Sequence, residues 1–261
     1  MSPFSRRIVC ALTTVIFATA LAAGTTATAA APVTPGLEDP ARYEIPTVGE
    51  CRNYGLAAVA GQTNSSPVVG CGTTHTSKVI ATPLLPDSLT WASSADAIHL
   101  AMVKACLPAF RAKLGRTESL RQKSAYEIVW FEPTQVQKDN GARWLRCDLV
   151  LFGGATLQPI TRNATPILPA APLPNRVKSC IVGPDDSIRM TVCTKAHRYR
   201  ATGTYLVVRD YYPGPDNLFR IAKNRCPNLV STPRYWYATW MGRNSWRAGD
   251  HTITCYSHTS S

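Results

Sequence analysis

The chain has 261 residues, with 28 basic against 16 acidic side chains and a net charge of +12. That length allows one large or two ordinary domains. The charge favours anionic partners, but the basic residues are spread without a run and no nucleic-acid motif is present, which argues against DNA or RNA.

At the start, Arg6 and Arg7 precede an uncharged apolar run over residues 8–24, and Ala27-Thr28-Ala29 offers a small-residue cleavage pattern before Ala30. That order is a secretory signal peptide, so residues 1–30 are expected to be processed rather than folded. An uncleaved anchor is the other reading, but the run of 17 residues lies at the bottom of the spanning range and a cleavage pattern follows it, so cleavage is favoured. Cys10 sits near the start of the apolar run, so it is not a lipoprotein cysteine and leaves with the signal. The exported chain keeps a charge of +10 and eight cysteines: Cys51, Cys71, Cys106, Cys147, Cys180, Cys193, Cys226 and Cys255. An even number in an exported chain reads as a disulfide framework.

Residues 31–46 are Pro-rich and read as a tether that need not fold alone. Next come two short β-branched strands, in "SPVVGC" and "SKVIATPLL". Residues 93–114 carry Ile98, Met102, Ala105 and Ala109 at helical spacing, with Ser93 or Ser94 as cap and Gly115 as stop. Pro108 predicts a bend or break near Cys106. "AYEIVWF" and "RWLRCDLVLF" follow as strands, with "QKDNGA" as the hairpin between them. Residues 165–176, "TPILPAAPLPNR", hold four prolines and predict a semi-rigid spacer. Beyond it, "DNLFRIAKNRC" reads as a helix capped by Asp216, "YWYATWM" and "HTITCYS" as strands, and "RNSWRAGD" as their connection.

The cysteines repeat. The first half runs Cys51, Cys71-x-x-x-His75, Cys106, Cys147; the second runs Cys180, Cys193-x-x-x-His197, Cys226, Cys255. The second and third cysteines lie 35 residues apart in one half and 33 in the other. Each fourth cysteine stands six residues after a glycine, Gly141 or Gly249, and a proline closely follows each third, Pro108 or Pro227. Together these point to an internal duplication. The expected fold class is α+β: two small disulfide-stabilised domains, each a short antiparallel sheet with one helix. Copy 1 spans residues 47–160, the linker 161–177 and copy 2 178–261.

These motifs resemble the septum-formation-related domain of exported actinobacterial proteins. The first copy has "VGEC" (residues 48–51), "CGTTH", Cys106 and "PTQVQKDNGARWLRC"; the second has "CIVG", "CTKAH", Cys226 and "WRAGDHTITC". Trp246, Gly249 and Asp250 keep the family's Trp-x-x-Gly-Asp form, whereas Lys138 and Ala142 stand in the first copy's tryptophan and aspartate places. The resemblance covers most of residues 46–261. It implies an exported envelope protein linked to cell division and brings no catalytic residues.

The duplication favours pairing first with second and third with fourth: Cys51–Cys71, Cys106–Cys147, Cys180–Cys193 and Cys226–Cys255. Crossed pairing within each copy is the rival that symmetry leaves open. No metal or cofactor is expected, because the cysteines lack the C-x-x-C or H-x(3–5)-H spacing of structural zinc. Catalysis is not expected either. His75 and His197 could serve an exported hydrolase or transferase as general bases, but neither has a nucleophile or orienting carboxylate beside it in sequence. Asp185, Asp186 and Asp210 read as turn residues rather than paired carboxylates. The patterns at Asn64 and Asn163 match a glycosylation acceptor short enough to arise by chance. Binding is the better reading. Tyr211, Tyr212, Tyr235, Trp236, Tyr237, Trp240 and Trp246 interleave with Arg209, Arg234, Arg243 and Arg247, a composition that suits glycan stacking or protein hot spots. The binding residues expected are Trp236, Trp240, Trp246, Arg234, Arg243 and Arg247. The expected partners are envelope proteins or an anionic wall polymer, with possible peripheral contact with acidic lipid.

Overall fold

Short β-branched and aromatic runs build two five-stranded antiparallel sheets. The computed structural model describes residues 39–160, 165–183 and 188–259. In the first half the strands are β1 (Cys51–Arg52), β2 (Val68–Val69), β3 (Ser77–Ala81), β4 (Tyr126–Phe131) and β5 (Arg146–Leu151). They lie in the order β2-β1-β3-β5-β4. In the second half β6 (Ser179–Val182), β7 (Arg189–Val192), β8 (Tyr199–Leu206), β9 (Trp236–Trp240) and β10 (Thr252–His258) lie in the order β7-β6-β8-β10-β9. Replace each strand by its counterpart and the two orders are the same. The fold is α+β, with two sheet units.

The helices are α1 (Ala95–Leu114), α2 (Glu118–Gln122), α3 (Gln135–Asp139), α4 (Pro215–Arg225) and α5 (Arg243–Arg247). Ser94 caps α1 by accepting the Ala97 N–H, and Gly115, at φ 65°, ends it. The expected break at Pro108 is absent: α1 continues through it. Pro108 and Lys104, whose carbonyl loses its partner, are both exposed, so water can satisfy that carbonyl. "QKDNGA" is not a plain hairpin, because a capping box between Thr134 and Gln137 starts α3 there. Its counterpart α5 occupies "RNSWRAGD". Gly214 rather than Asp216 is the N-cap of α4, with Pro215 at the first helical position.

Four disulfides join Cys51 to Cys71, Cys106 to Cys147, Cys180 to Cys193 and Cys226 to Cys255. Within each half, the first clips adjacent segments at the sheet edge and the second pins the helix to the last strand. One face of each sheet buries its helix: Met102, Cys106 and Leu107 of α1 pack with Cys147, and Leu218 and Ala222 of α4 pack with Ile253 and Cys255.

Residues 165–177 are not a spacer. Ile167, Leu168, Leu173 and Val177 are buried with Leu114, Tyr126, Leu149 and Val192, so the segment fills a core shared by both halves. The prolines stiffen its path, but the apolar residues between them gain more from burial than from solvent. Backbone bonds fix it, from the Ile167 N–H to the Lys113 carbonyl (3.0 Å) and from the Ala125 N–H to the Val177 carbonyl (2.8 Å). Leu37–Ser261 accordingly gather into one compact unit. The described end of the N-terminal tether docks on the first half: the Arg143 N–H bonds the Ala41 carbonyl, and the Trp144 indole donates to the Tyr43 carbonyl, both at 2.9 Å. Among the described residues no helix is long and apolar enough to cross a membrane. The signal segment, Asn163, Asp185 and Asp186 lie outside the described residues.

Candidate functional site

The two Cys-x-x-x-His motifs occupy equivalent places. Each follows the first disulfide of its half and turns the chain into the third strand. His75 is 2% exposed and His197 5%. Each ring places Nδ1 on the carbonyl two residues earlier, Thr73 at 2.8 Å and Lys195 at 2.7 Å. Such a bond locks a turn. Cys180, Cys193 and His197 bring their ligand atoms within 4.8 Å of one another. The two sulfurs are bonded to each other, so the thiolates that a metal would need are not present.

The binding residues expected from the sequence do not share one face. Trp236 and Trp240 alternate with Tyr237 along β9 and pack toward the core under α4. Arg234 is exposed in the turn before β9. Arg243, Trp246 and Arg247 do come together, on α5. With Asp210, Tyr211, Tyr212 and His251 they line an open groove of about 730 Å³. Trp246 is buried and forms its floor. It stacks on His251 at 4.2 Å and meets Tyr212 edge-on at 5.8 Å. Arg243 sits 5.9 Å from the Tyr212 ring centre. At the rim, Arg209 donates to the Tyr211 hydroxyl at 2.7 Å, and Tyr211 is 63% exposed. The groove therefore offers exposed guanidinium groups beside aromatic faces, an arrangement that suits anions carrying a flat or glycan body.

A second group of polar residues lies where the halves meet. Gln122 of α2 donates to Asp250 at 2.8 Å and to Glu118 at 3.0 Å. Glu118 is also held by Arg111 (3.1 Å) and Arg121 (2.8 Å). Burial alone would raise the Glu118 carboxyl, but hydrogen bonds from Arg121 and Gln122 leave it below its ordinary value. Asp250, by contrast, is raised: its burial outweighs the bonds from Gln122 and the Thr252 amide. Glu127 on β4 is pushed up to about 7, first by burial and then by the Asp250 charge. Tyr256 shares its hydroxyl with Ser179 (3.1 Å) and Thr239 (3.4 Å). Asn244 of α5 reaches back to the Asp96 carboxylate of α1 at 2.9 Å.

Residues 92–255 match the septum formation family model, well over half of the chain. The chain belongs to the septum formation family. The match runs as one stretch from α1 to β10, across the buried segment that joins the halves. No curated protein and no solved structure matches the chain significantly. The family ties the protein to septum formation, and four disulfides suit a domain that works outside the reducing cytoplasm.

The sequence pointed to the groove through its aromatic and arginine composition. It missed Glu127, Gln122 and Glu118, because nothing in their local pattern separates them from solvated charges. Asp250 was visible only as part of the septum formation motif. Its partner Gln122 stands 128 residues away, a distance that no local spacing spans.

Proposed function

We propose that this septum formation protein is an exported, non-enzymatic envelope module that grips an anionic wall polymer through the Arg243–Arg247 groove. The observation that carries this reading is the pairing of Arg243 and Arg247 with Tyr211 and Tyr212 around one open groove. The charge distribution supports it. Residues 178–261 hold twelve basic and five acidic side chains, against eleven and eight in residues 47–160. Such a field draws polyanions to the second half, and the draw weakens with salt. Division-associated proteins with an acidic face are the other partner of the same chemistry. The hydrolase or transferase alternative through His75 or His197 finds little support, since both rings are buried and committed at Nδ1 to backbone carbonyls.

The test is retention of the exported chain on purified wall, on wall stripped of its anionic polymer, and on acidic lipid vesicles. The expected result is retention on intact wall alone at low salt, reduced at least tenfold in an Arg243→Ser, Arg247→Ser double variant. Equal retention of the double variant would remove the groove from the account, and vesicle binding alone would redirect it to the membrane surface.

A further inference from the structure

A half-enclosed cavity of about 210 Å³ lies at the junction of the halves. Its walls are apolar on one side: Met102, Leu107 and Phe110 of α1, Ile128 and Trp130 of β4, and Trp240 of β9. At its other end Glu127 and Asp250 stand among Gln122, Ser124, Thr254 and Tyr256. We infer that this cavity binds a small apolar amine, its cationic head against Glu127 and Asp250 and its ring or chain against α1, β4 and β9.

Charge accounting supports a cation. Among the groups around Glu127, Arg121 is already committed to Glu118. His99 of α1 shares Nδ1 with Asn244 and stacks on Trp130. Tyr256 carries no charge, its hydroxyl being raised by burial. Arg189 of β7 lines an adjoining recess and is itself exposed. Arg111, whose charge bears on Asp250, is already paired with Glu118 at 3.1 Å and bonded to the Gly249 carbonyl at 2.9 Å. Among the described residues Glu127 makes no ion pair, so it has no cation of its own. Enclosing carboxylates in that way is unfavourable, and a ligand cation offsets the cost.

The geometry argues against other ligands. Among the described residues, no three carboxylate or imidazole groups at the cavity converge closely enough to hold a metal ion. An anion would meet Glu127 and Asp250 directly. A neutral apolar molecule would fill the walls but leave the acids unpaired. An apolar cavity of about 150 Å³ takes up one benzene, so the space here suits a ring with a short arm.

The test titrates phenethylamine, 2-phenylethanol and phenylacetate into the full exported chain, disulfides intact, by calorimetry and tryptophan fluorescence. At pH 8 the amine should bind at least tenfold more tightly than the alcohol, and phenylacetate should not compete. A free-protein Glu127 carboxyl near pH 7 takes up its proton as pH falls, and a bound cation opposes that uptake. Amine affinity should therefore drop about tenfold between pH 8 and pH 6, with the alcohol unchanged. Glu127→Gln should lose most of the amine's advantage over the alcohol, with Asp250 keeping the remainder. The pH series on the unaltered protein decides the matter if that variant fails to fold. Equal amine and alcohol affinity, a flat pH profile, or no binding of any of the three at about 10 mM would each overturn the assignment. None of these outcomes depends on retention by wall.

Discussion

The two halves share strand order, disulfide scheme and histidine turn, yet they fill matching buried positions differently. The residues flanking the fourth cysteine show it best. In the first half they are Arg146 and Asp148, a buried ion pair at 3.0 Å, completed by the Tyr54 hydroxyl on Asp148 at 2.9 Å. In the second they are Thr254 and Tyr256, neutral hydroxyls that meet Gln122, Ser179 and Thr239. Gly141 and Gly249 share a φ of 92°, but the next residue is Ala142 in one half and Asp250 in the other. Lys138 pairs with Glu132 at 2.7 Å and lies over Trp91, where the other half has Trp246 on His251. The lesson is a division of labour. The cysteine frame and sheet order carry the fold, which frees the remaining buried positions to specialise. The first half closes on itself, Arg146 also holding the Asn64 carbonyl at 3.0 Å. The second turns its polar face toward its partner, with Thr204 on Ser119 at 2.7 Å.

The sharpest way to break this contrast is Asp148→Ala. It leaves the Arg146 guanidinium buried without its counter-charge and should cost about 3–5 kcal/mol in urea unfolding. An effect below about 1 kcal/mol would mean that the ion pair is not what closes the first half. Disulfide removal comes next. The Cys106–Cys147 bond spans 41 residues and the Cys180–Cys193 bond 13. Replacing both cysteines by Ala should cost about 4 kcal/mol for the first pair and about 3 kcal/mol for the second. A reversed ranking would place the stability of the frame somewhere other than loop closure.

Smaller effects probe the junction. Tyr256→Phe removes one shared hydroxyl and should cost about 1 kcal/mol, well below Asp148→Ala at the matching position. Glu127 gives a pH signature. Its folded carboxyl, up to about 7, lies above the ordinary value. The folded state therefore holds that proton longer than the unfolded chain does. Stability should fall as pH rises from about 4.5 to about 7 and level off above. Glu127→Gln should flatten that slope in melting scans; an unchanged slope would show that Glu127 ionises freely.

Much of the frame was legible in the sequence because cysteines, glycines and cap residues act locally. Ser94 and Gly115 bound α1, and the repeated cysteine order carried the pairing. Pro108 did not break α1, because the Lys104 carbonyl that loses its partner is on the exposed side of the helix, where water can satisfy it. Residues 165–177 misled because proline content signals stiffness but says nothing of what lies on either side; Ile167 and Leu168 decide that by burial. The candidate site divides in the same way. Arg243 and Arg247 on α5 were readable from composition. The junction acids were not, since Glu127 and Asp250 meet only after both halves have folded and docked.

The two halves form one folded unit around that junction, through the core they share. Scanning calorimetry of the exported chain tests this by comparing the measured unfolding enthalpy with the van't Hoff value. One transition with a ratio near one is the result predicted, because a shared core and the Gln122–Asp250 bond couple the halves. Two transitions, or a ratio near two, would show independent domains and contradict it.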